Sequence, residues 1–209
     1  MANLAERAAR LNRGRARRGA GAAGSFALVT DRTRVPEPLA LLGSMPPGAL
    51  VVVRDYDAPD RAALAQNLAR ACRARRLVLV VAGDLDLAIA TGAGLHLPEW
   101  QARAVRARIL LWHRRGRRIL SMAAHSRAAL ARTAARGADM ALLGPVFATA
   151  SHPGALELGA LRFRLLARGA RGAVWAIGGV DRRTIGLLAG SGAAGIATVG
   201  GLGRGRAAR

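Results

Sequence analysis

The sequence predicts an α/β protein of the (β/α)8 TIM-barrel class, in a single domain with a basic helical extension at its N-terminus. Eight short apolar runs follow one another from residue 25 onward. They are continuously apolar, as expected for parallel strands buried on both faces. Helical patterns separate them, and residues 25–209 provide about 23 residues per strand–helix unit, near the lower limit of this fold. An open, doubly wound sheet is the alternative architecture.

The predicted strands are three to five residues long, within the usual range for globular proteins. They lack the alternation of apolar and polar residues that marks a half-exposed sheet. They are Phe26–Thr30, Leu50–Arg54, Leu77–Val81, Leu95–Leu97, Ile119–Ala123, Met140–Leu143, Val174–Ile177 and Gly195–Thr198.

Helical segments fill the intervals between the strands. Asp60, Ser126 and Asp181 can each N-cap the helix that follows, because a side-chain oxygen there accepts from the first free N–H groups. We expect Asp86 to cap its helix in the same way. The predicted segments are Pro36–Leu42, Asp60–Cys72, Asp84–Thr91, Glu99–Trp112, the helix that Ser126 caps through Leu130 to Arg136, Leu158–Ala167, and the helix that Asp181 caps through Ile185 to Leu188.

A basic extension precedes the barrel. Asn3–Arg18 has helical spacing and carries six arginines and one glutamate. We divide the chain into an extension over 1–24, a barrel over 25–202 and a basic tail over 203–209. Residues 199–209 are rich in Gly and Arg and make a poor eighth helix. We therefore expect the N-terminal helix to cover the apolar surface that an eighth helix would cover.

Composition excludes several kinds of chemistry. All 33 basic residues are arginine and the formal net charge is +21, so lysine Schiff bases and a P-loop lysine are excluded. Aromatic residues make up 3% and the arginines are scattered, so we expect no specific nucleic-acid partner. A polyanion-binding role for the basic arm is the alternative. One cysteine suits a reducing compartment, which predicts a cytoplasmic protein. No apolar run has the length of a membrane span, so we expect no membrane partner.

Two glycine pairs lie where a barrel of this class usually holds phosphate. Gly178-Gly179 follows the seventh predicted strand and Gly200-Gly201 follows the eighth. Glycine lets backbone N–H groups approach a phosphate closely. Tight turns also need glycine, so a purely structural role is the alternative for each pair. Their joint placement predicts a small-molecule phosphate substrate.

The most distinctive loop follows the sixth predicted strand and reads GPVFATASHPG from Gly144 to Gly154. The hydroxyls of Thr149 and Ser151 can donate to phosphate oxygens, and His152 can donate a hydrogen bond or a proton. The alternative is a long turn in which these side chains bond to the backbone.

These motifs resemble those of the thiamine phosphate synthase and TenI family. After GPVFATASHPG come AIGGV and GAAGIATVGGL, in the family's order. Before it come ALVTDR, VVVRDYD, GLHLPE and AAHS at the first, second, fourth and fifth strands. The resemblance covers about residues 25–202. It implies a (β/α)8 barrel in thiamine biosynthesis that joins a hydroxymethylpyrimidine pyrophosphate to a thiazole phosphate and releases pyrophosphate, with Mg²⁺.

The resemblance also implies roles for individual residues. Arg54 matches an arginine of the family's second strand and is expected to face pyrophosphate. His152 stands where the family has a lysine, and we assign both residues to catalysis. The departing pyrophosphate is the charge to be stabilised. The residues implied in substrate binding are Thr149, Ser151, Gly178, Gly179, Gly200, Gly201 and His125.

The chain departs from the family pattern at the pyrophosphate and metal positions. The family's lysine on the second strand falls on Tyr56, and its Asn-Asp metal pair falls on Ala82 and Gly83. Mg²⁺ prefers carboxylate oxygens. The nearest carboxylates belong to Asp84 and Glu99, which are therefore the candidate metal ligands.

These departures keep a second hypothesis open: a TenI-like barrel that binds thiazole phosphate or thiamine phosphate without synthase turnover. TenI-type tautomerases place a histidine where this chain has Pro145, which agrees with a synthase. Pro98 after His96-Leu97 is more typical of TenI. The sequence leaves the subtype open, and it leaves the oligomeric state open too, with a homo-oligomer among the alternatives.

If His152 replaces the family's lysine, phosphate affinity will depend on pH. Imidazole is charged only below its pKa, about 6.5 when unperturbed, whereas lysine stays charged. We expect the affinity for thiazole phosphate to weaken as pH rises from about 6 to 8. His152→Ala should flatten this dependence, and His152→Lys should keep the affinity high throughout. Calorimetry across the pH range tests this, and parallel profiles for wild type and His152→Ala would contradict it.

Overall fold

Eight parallel strands close into a barrel in sequence order. A computed structural model describes residues 4–11, 24–116, 118–150, 154 and 156–199. Each strand pairs with the next, and the eighth pairs with the first, which confirms the barrel and rules out the open sheet. Every predicted strand is present, with ends within one residue of those predicted. The strands are β1 Phe26–Val29, β2 Leu50–Val53, β3 Val78–Ala82, β4 Gly94–Leu97, β5 Leu120–Ala124, β6 Met140–Leu143, β7 Ala173–Ile177 and β8 Gly195–Thr198.

The strands are apolar on both faces because the barrel has two apolar layers. One layer fills the interior and the other lies between the strands and the surrounding helices. Trp175 is fully buried in the interior layer. Room for its indole comes from Gly195, where a Cβ would lie 2.8 Å from the ring. The interior of the barrel is therefore a packed core.

Helices surround the barrel, and none among the described residues is long and apolar enough to cross a membrane. The predicted segment Glu99–Trp112 is two helices, because the helical conformation is interrupted at 104–106, where Val105 packs against the core. The last predicted segment, Ile185–Leu188, is a 3-10 helix, as is Leu42–Ser44. The α-helices are α1 Leu4–Leu11, α2 Pro38–Leu41, α3 Arg61–Arg75, α4 Leu85–Thr91, α5 Glu99–Arg103, α6 Ala107–Gly116, α7 Arg127–Ala135 and α8 Gly159–Gly169.

One predicted helix cap is confirmed and one is replaced by an ion pair. Ser126 Oγ accepts from the Ala129 N–H at 3.2 Å, as an N-cap should. Asp60 stands at the N-cap of α3 but makes no side-chain cap. Its carboxylate binds the Arg32 guanidinium at 2.7 Å. The Asp60 carboxylate therefore pairs with an arginine and does not cap the helix.

The prediction that Asp86 caps α4 is wrong. Asp84 is the N-cap residue, since its extended backbone precedes the helix and its Oδ1 accepts from the Leu87 N–H at 2.9 Å. Asp86 lies in the first turn of α4, where its carboxylate pairs with Arg108 at 2.6 Å on the surface. The Asp84 carboxylate therefore serves as the cap of a helix.

Helix α1 lies where the sequence predicts it. It packs on β8, β1 and the 3-10 helix Ile185–Leu188, and Leu4, Ala5 and Ala8 are buried there. Arg7 Nη1 donates to the Arg182 carbonyl at 2.6 Å on the same side. The remainder of the predicted extension and the predicted tail lie outside the described residues, apart from Gly24.

Deleting residues 1–18 should therefore lower the thermal midpoint, because the deletion exposes apolar surface on β8 and β1. Leu4→Ala in the full chain should cost about 2–5 kcal/mol, as for other buried leucines. Arg10→Ala is the matched control, since Arg10 is exposed on the same helix. Thermal and urea unfolding measure both effects. An unchanged midpoint after the deletion would show that α1 does not stabilise the barrel.

Candidate active site

A cavity of about 1030 Å³ opens at the carboxyl ends of the strands. Its lining includes residues after β1 and β2 and at the ends of β4 to β8, which is where barrels of this class bind ligands. The predicted site residues that line it are Arg54, Glu99, His125, Thr149, Gly178 and Gly179. Asp84 is not among the described lining residues. Four predicted site residues lie outside the described part of the chain, namely Ser151, His152, Gly200 and Gly201.

The loops after β6 and β7 are joined along one wall of the cavity. The Val146 N–H donates to the Ile177 carbonyl at 2.9 Å, and the Phe147 N–H donates to the Gly178 carbonyl at 3.1 Å. Gly178 and Gly179 have positive φ angles of 90° and 62°. A Cβ on either would lie 2.7 Å from carbon atoms of the β6 loop. Both glycines are therefore required for the loops to touch.

This wall contains backbone N–H groups that have no acceptor within the described part of the chain. Gly179 and Val180 line the cavity, and neither N–H group donates to an acceptor among the described residues. Thr184 Oγ1 donates to the Gly179 carbonyl at 2.8 Å and so holds the loop in place. Thr149 lines the cavity on the β6 side. Adjacent N–H groups held in this way suit an anion such as phosphate.

His96 is a neutral polar group within the cavity wall. Its Nδ1 lies 2.9 Å from Ser121 Oγ. Burial, followed by the positive charge of Arg54, lowers the pKa of His96 to about 4. At neutral pH the imidazole is therefore uncharged. It is a hydrogen-bonding group on the wall and not a source of positive charge.

His125 lies close to a carboxylate that arginines already neutralise. Its Nδ1 donates to the Gly144 carbonyl, and its Nε2 lies 3.9 Å from Glu99 Oε2. Glu99 Oε1 accepts from Arg132 at 2.8 Å and from Arg103 at 3.4 Å. Glu99 therefore belongs to an ion-pair network that lies beside His125 in the cavity wall.

Arg54 is oriented by Asp31. Arg54 Nη2 donates to Asp31 Oδ2 at 2.6 Å, and Arg34 Nη2 donates to the same oxygen at 2.8 Å. Arg34 and Tyr56 line the cavity beside Arg54, and sequence reasoning assigned no role to either. A signal for Arg34 was present, since it lies three residues after Asp31 of the ALVTDR motif, in the loop that follows a barrel strand.

The donor set does not fit the Mg²⁺ ion that the resemblance implies. Asp84 Oδ1 caps α4, and its Oδ2 lies 3.6 Å from Arg61 Nη1. Glu99 is paired with Arg132 and Arg103. Within the described residues, no three His, Cys, Asp or Glu side chains converge as metal ligands would. Carboxylates paired with arginines are poor ligands for a hard cation.

Fold and cavity together define an α/β-barrel protein with a ligand site at the carboxyl ends of its strands. The family model described as thiamine monophosphate synthase matches residues 27–202. The chain belongs to that family.

Relatives agree with this assignment, and a solved structure shares the fold. A thiamine-phosphate synthase from Gloeobacter violaceus is 33% identical over 153 residues, covering 72% of this chain and 44% of that protein. One from Geobacillus kaustophilus is 33% identical over 146 residues, covering 67% of this chain and 63% of its own. The chain thus spans less than two thirds of these two relatives. The structure of thiamine phosphate pyrophosphorylase from Pyrococcus furiosus superposes with a TM-score of 0.69 at 23% identity, over 84% of this chain and 85% of that one.

The lowered pKa of His96 makes stability depend on pH. Unfolded, the imidazole has a pKa near 6.5, so as pH falls the unfolded chain binds the proton first. The contribution of neutral His96 is complete above about pH 6.5 and is lost between 6.5 and 4, by on the order of 3 kcal/mol.

His96→Asn should remove this dependence, because asparagine does not titrate. Urea unfolding of both proteins between pH 7.5 and 4.5 measures it, with His113→Gln as a control away from the cavity. Equal pH slopes for wild type and His96→Asn would show that His96 is protonated alike in both states.

Proposed function

We propose that the protein is a thiamine phosphate synthase, which joins a hydroxymethylpyrimidine pyrophosphate to a thiazole phosphate and releases pyrophosphate. The observation that carries this proposal is that the glycine loop and Arg54 line the same cavity. The glycine loop lies on one wall, and the Arg54 guanidinium lies on the other. A reaction that begins with a phosphate and a pyrophosphate needs two such walls.

The thiazole phosphate binds at the glycine wall. The Gly179 and Val180 N–H groups and Thr149 are directed at its oxygens. Ser151, Gly200 and Gly201 join this wall in the assignment implied by the family. Backbone donors held by the β6–β7 contact keep their positions when a ligand arrives, so little reorganisation accompanies binding.

The pyrophosphate leaves at the arginine wall. The bond from its oxygen to the pyrimidine methylene carbon breaks, and the electron pair departs with the pyrophosphate. The ring nitrogen of the thiazole phosphate then forms a bond to that carbon with its lone pair and becomes the positively charged thiazolium nitrogen. Arg54 donates to the departing oxygens, where negative charge grows, and His152 adds a donor in the role that the family implies. Neutral His96 leaves the positive charge of the cavity concentrated on the guanidinium groups.

A second function is favoured by the arginines that pair with Asp84 and Glu99. Carboxylates engaged in this way are unavailable as metal ligands, and loss of metal chemistry would leave a barrel that binds thiazole phosphate or thiamine phosphate without turnover. Thiazole phosphate binding by calorimetry with no product from the two substrates would establish this second function. Absence of both would end both hypotheses.

Product formation by Arg54→Ala tests the synthase proposal. Loss of a donor to a developing anion costs about 100-fold or more in kcat/KM. We expect thiamine phosphate formation to fall by that factor in Arg54→Ala. Arg108→Ala is the matched control, because Arg108 is exposed and pairs with Asp86 outside the cavity. Thermal midpoints of both variants show whether the fold is kept. An Arg54→Ala rate equal to that of Arg108→Ala would refute the assigned role.

A further inference from the structure

The family's metal position carries no carboxylate in this chain, because it falls on Ala82 and Gly83. Ala82 ends β3, and Gly83 follows it with a φ of 73°. The side chain that reaches Gly83 from α5 is that of Gln101, whose amide Nε2 donates to the Gly83 carbonyl at 3.0 Å. An uncharged amide thus faces this position.

A tyrosine ring fills the space beside Gly83. A Cβ built on Gly83 would lie 3.0 Å from Tyr56 Cε1. Tyr56 replaces the family's lysine, and its ring also lines the cavity. An acidic side chain at position 83 would collide with this ring, so the two departures from the family pattern belong together.

A guanidinium group lies over that ring. Arg61 Cζ is 5.5 Å from the centroid of Tyr56, a cation–π distance. Arg61 Nη2 donates to the Ala82 carbonyl, its Nη1 lies 3.6 Å from Asp84 Oδ2, and its side chain is only 12% exposed. Its Nε is buried and has no hydrogen-bond partner among the residues that the structure describes. A fixed positive charge therefore already stands at the end of β3.

Two further guanidinium groups face the cavity next to it. Arg34 and Arg54 share the Oδ2 atom of Asp31. Burial acts to raise the pKa of Asp31, but hydrogen bonds and charge from Arg34, together with the charge of Arg54, hold it below its usual value. Asp31 is thus an ionised bracket that fixes both arginines. Guanidinium groups bind phosphate oxygens in pairs of parallel hydrogen bonds.

We propose that this chain binds the diphosphate end of an organic diphosphate substrate without a divalent cation. Arg34 and Arg54 contact the diphosphate. Arg61, which lies against Tyr56, supplies positive potential at the family's metal position. Arg61 disfavours a second cation there, since like charges repel strongly in a low-dielectric site. The proposal rests on the proposed function for the identity of the substrate, but the binding step needs no turnover.

Calorimetry with inorganic pyrophosphate and the full chain tests the metal requirement. One titration contains EDTA and one contains Mg²⁺, both at about 0.15 M ionic strength so that long-range attraction is screened. We expect saturable binding of one pyrophosphate per chain in EDTA, with no gain on adding Mg²⁺. Saturable binding in Mg²⁺ and none in EDTA would overturn the proposal.

Four variants locate the site. Arg34→Ala and Arg54→Ala should each weaken pyrophosphate binding in EDTA by about 10- to 100-fold, the usual effect of losing hydrogen bonds to a charged group. Arg61→Gln should weaken it by a smaller factor, because Arg61 acts through its charge. Arg108→Ala should have no effect. Equal losses in all four variants would indicate non-specific attraction to a chain of net charge +21 and would overturn the site.

Measurements of binding and of synthesis in EDTA and in Mg²⁺ separate this proposal from the proposed function. Pyrophosphate binding in EDTA without any thiamine phosphate synthesis would support the arginine site and end the synthase assignment. Synthesis that stops in EDTA and returns with Mg²⁺ would support the synthase assignment and overturn the arginine site. Arg34→Lys adds a structural control: if it restores the thermal midpoint but not the affinity, Arg34 acts on the ligand through its guanidinium geometry.

Discussion

The contact between the loops after β6 and β7 is the constraint on which the candidate site depends. It brings the backbone at Val146 and Phe147 within hydrogen-bonding distance of β7 and the residue after it. Only glycine at 178 and 179 permits this approach, because a side chain there would meet the neighbouring loop. Gly178, Gly179 and Val180 line the cavity beside this contact. The contact that packs the two loops together therefore also shapes the wall that we propose to bind phosphate.

The barrel could be predicted from sequence because each strand is a local signal. A continuous apolar run such as Met140–Leu143 needs strand neighbours on both sides and apolar layers on both faces, and a closed barrel supplies these for all eight strands. Helix ends were less predictable, as Asp60 shows. Its capping role depends on whether a distant arginine competes for the carboxylate, and spacing along the chain does not contain that information.

The cavity was predicted only in part, for the same reason. The glycine loop could be placed because it follows the seventh strand of a barrel, and Arg54 could be placed because the resemblance supplies its position. Tyr56, Arg61 and Gln101 approach the end of β3 from the loop after β2, from α3 and from α5, and each is unremarkable in its own segment. The sequence also suggested Asp84 as a metal ligand because it is one residue from the expected position. Because Asp84 lies one residue further along the chain, its carboxylate caps a helix and is not placed in the cavity.

The arginine wall and the glycine wall lie on opposite sides of the barrel mouth, with the proposed reaction between them. In a closed barrel of eight strands in sequence order, β2 stands opposite β6 and β3 stands opposite β7. The arginine wall follows β1 to β3, and the glycine loop follows β6 and β7. Leu142, Ile177 and neutral His96 line the cavity as well and bring no charge. In the proposed reaction, the phosphate bound at one wall and the leaving diphosphate at the other place the reacting carbon between them. The negative charge that grows on the leaving group then lies toward the arginines and away from the bound phosphate.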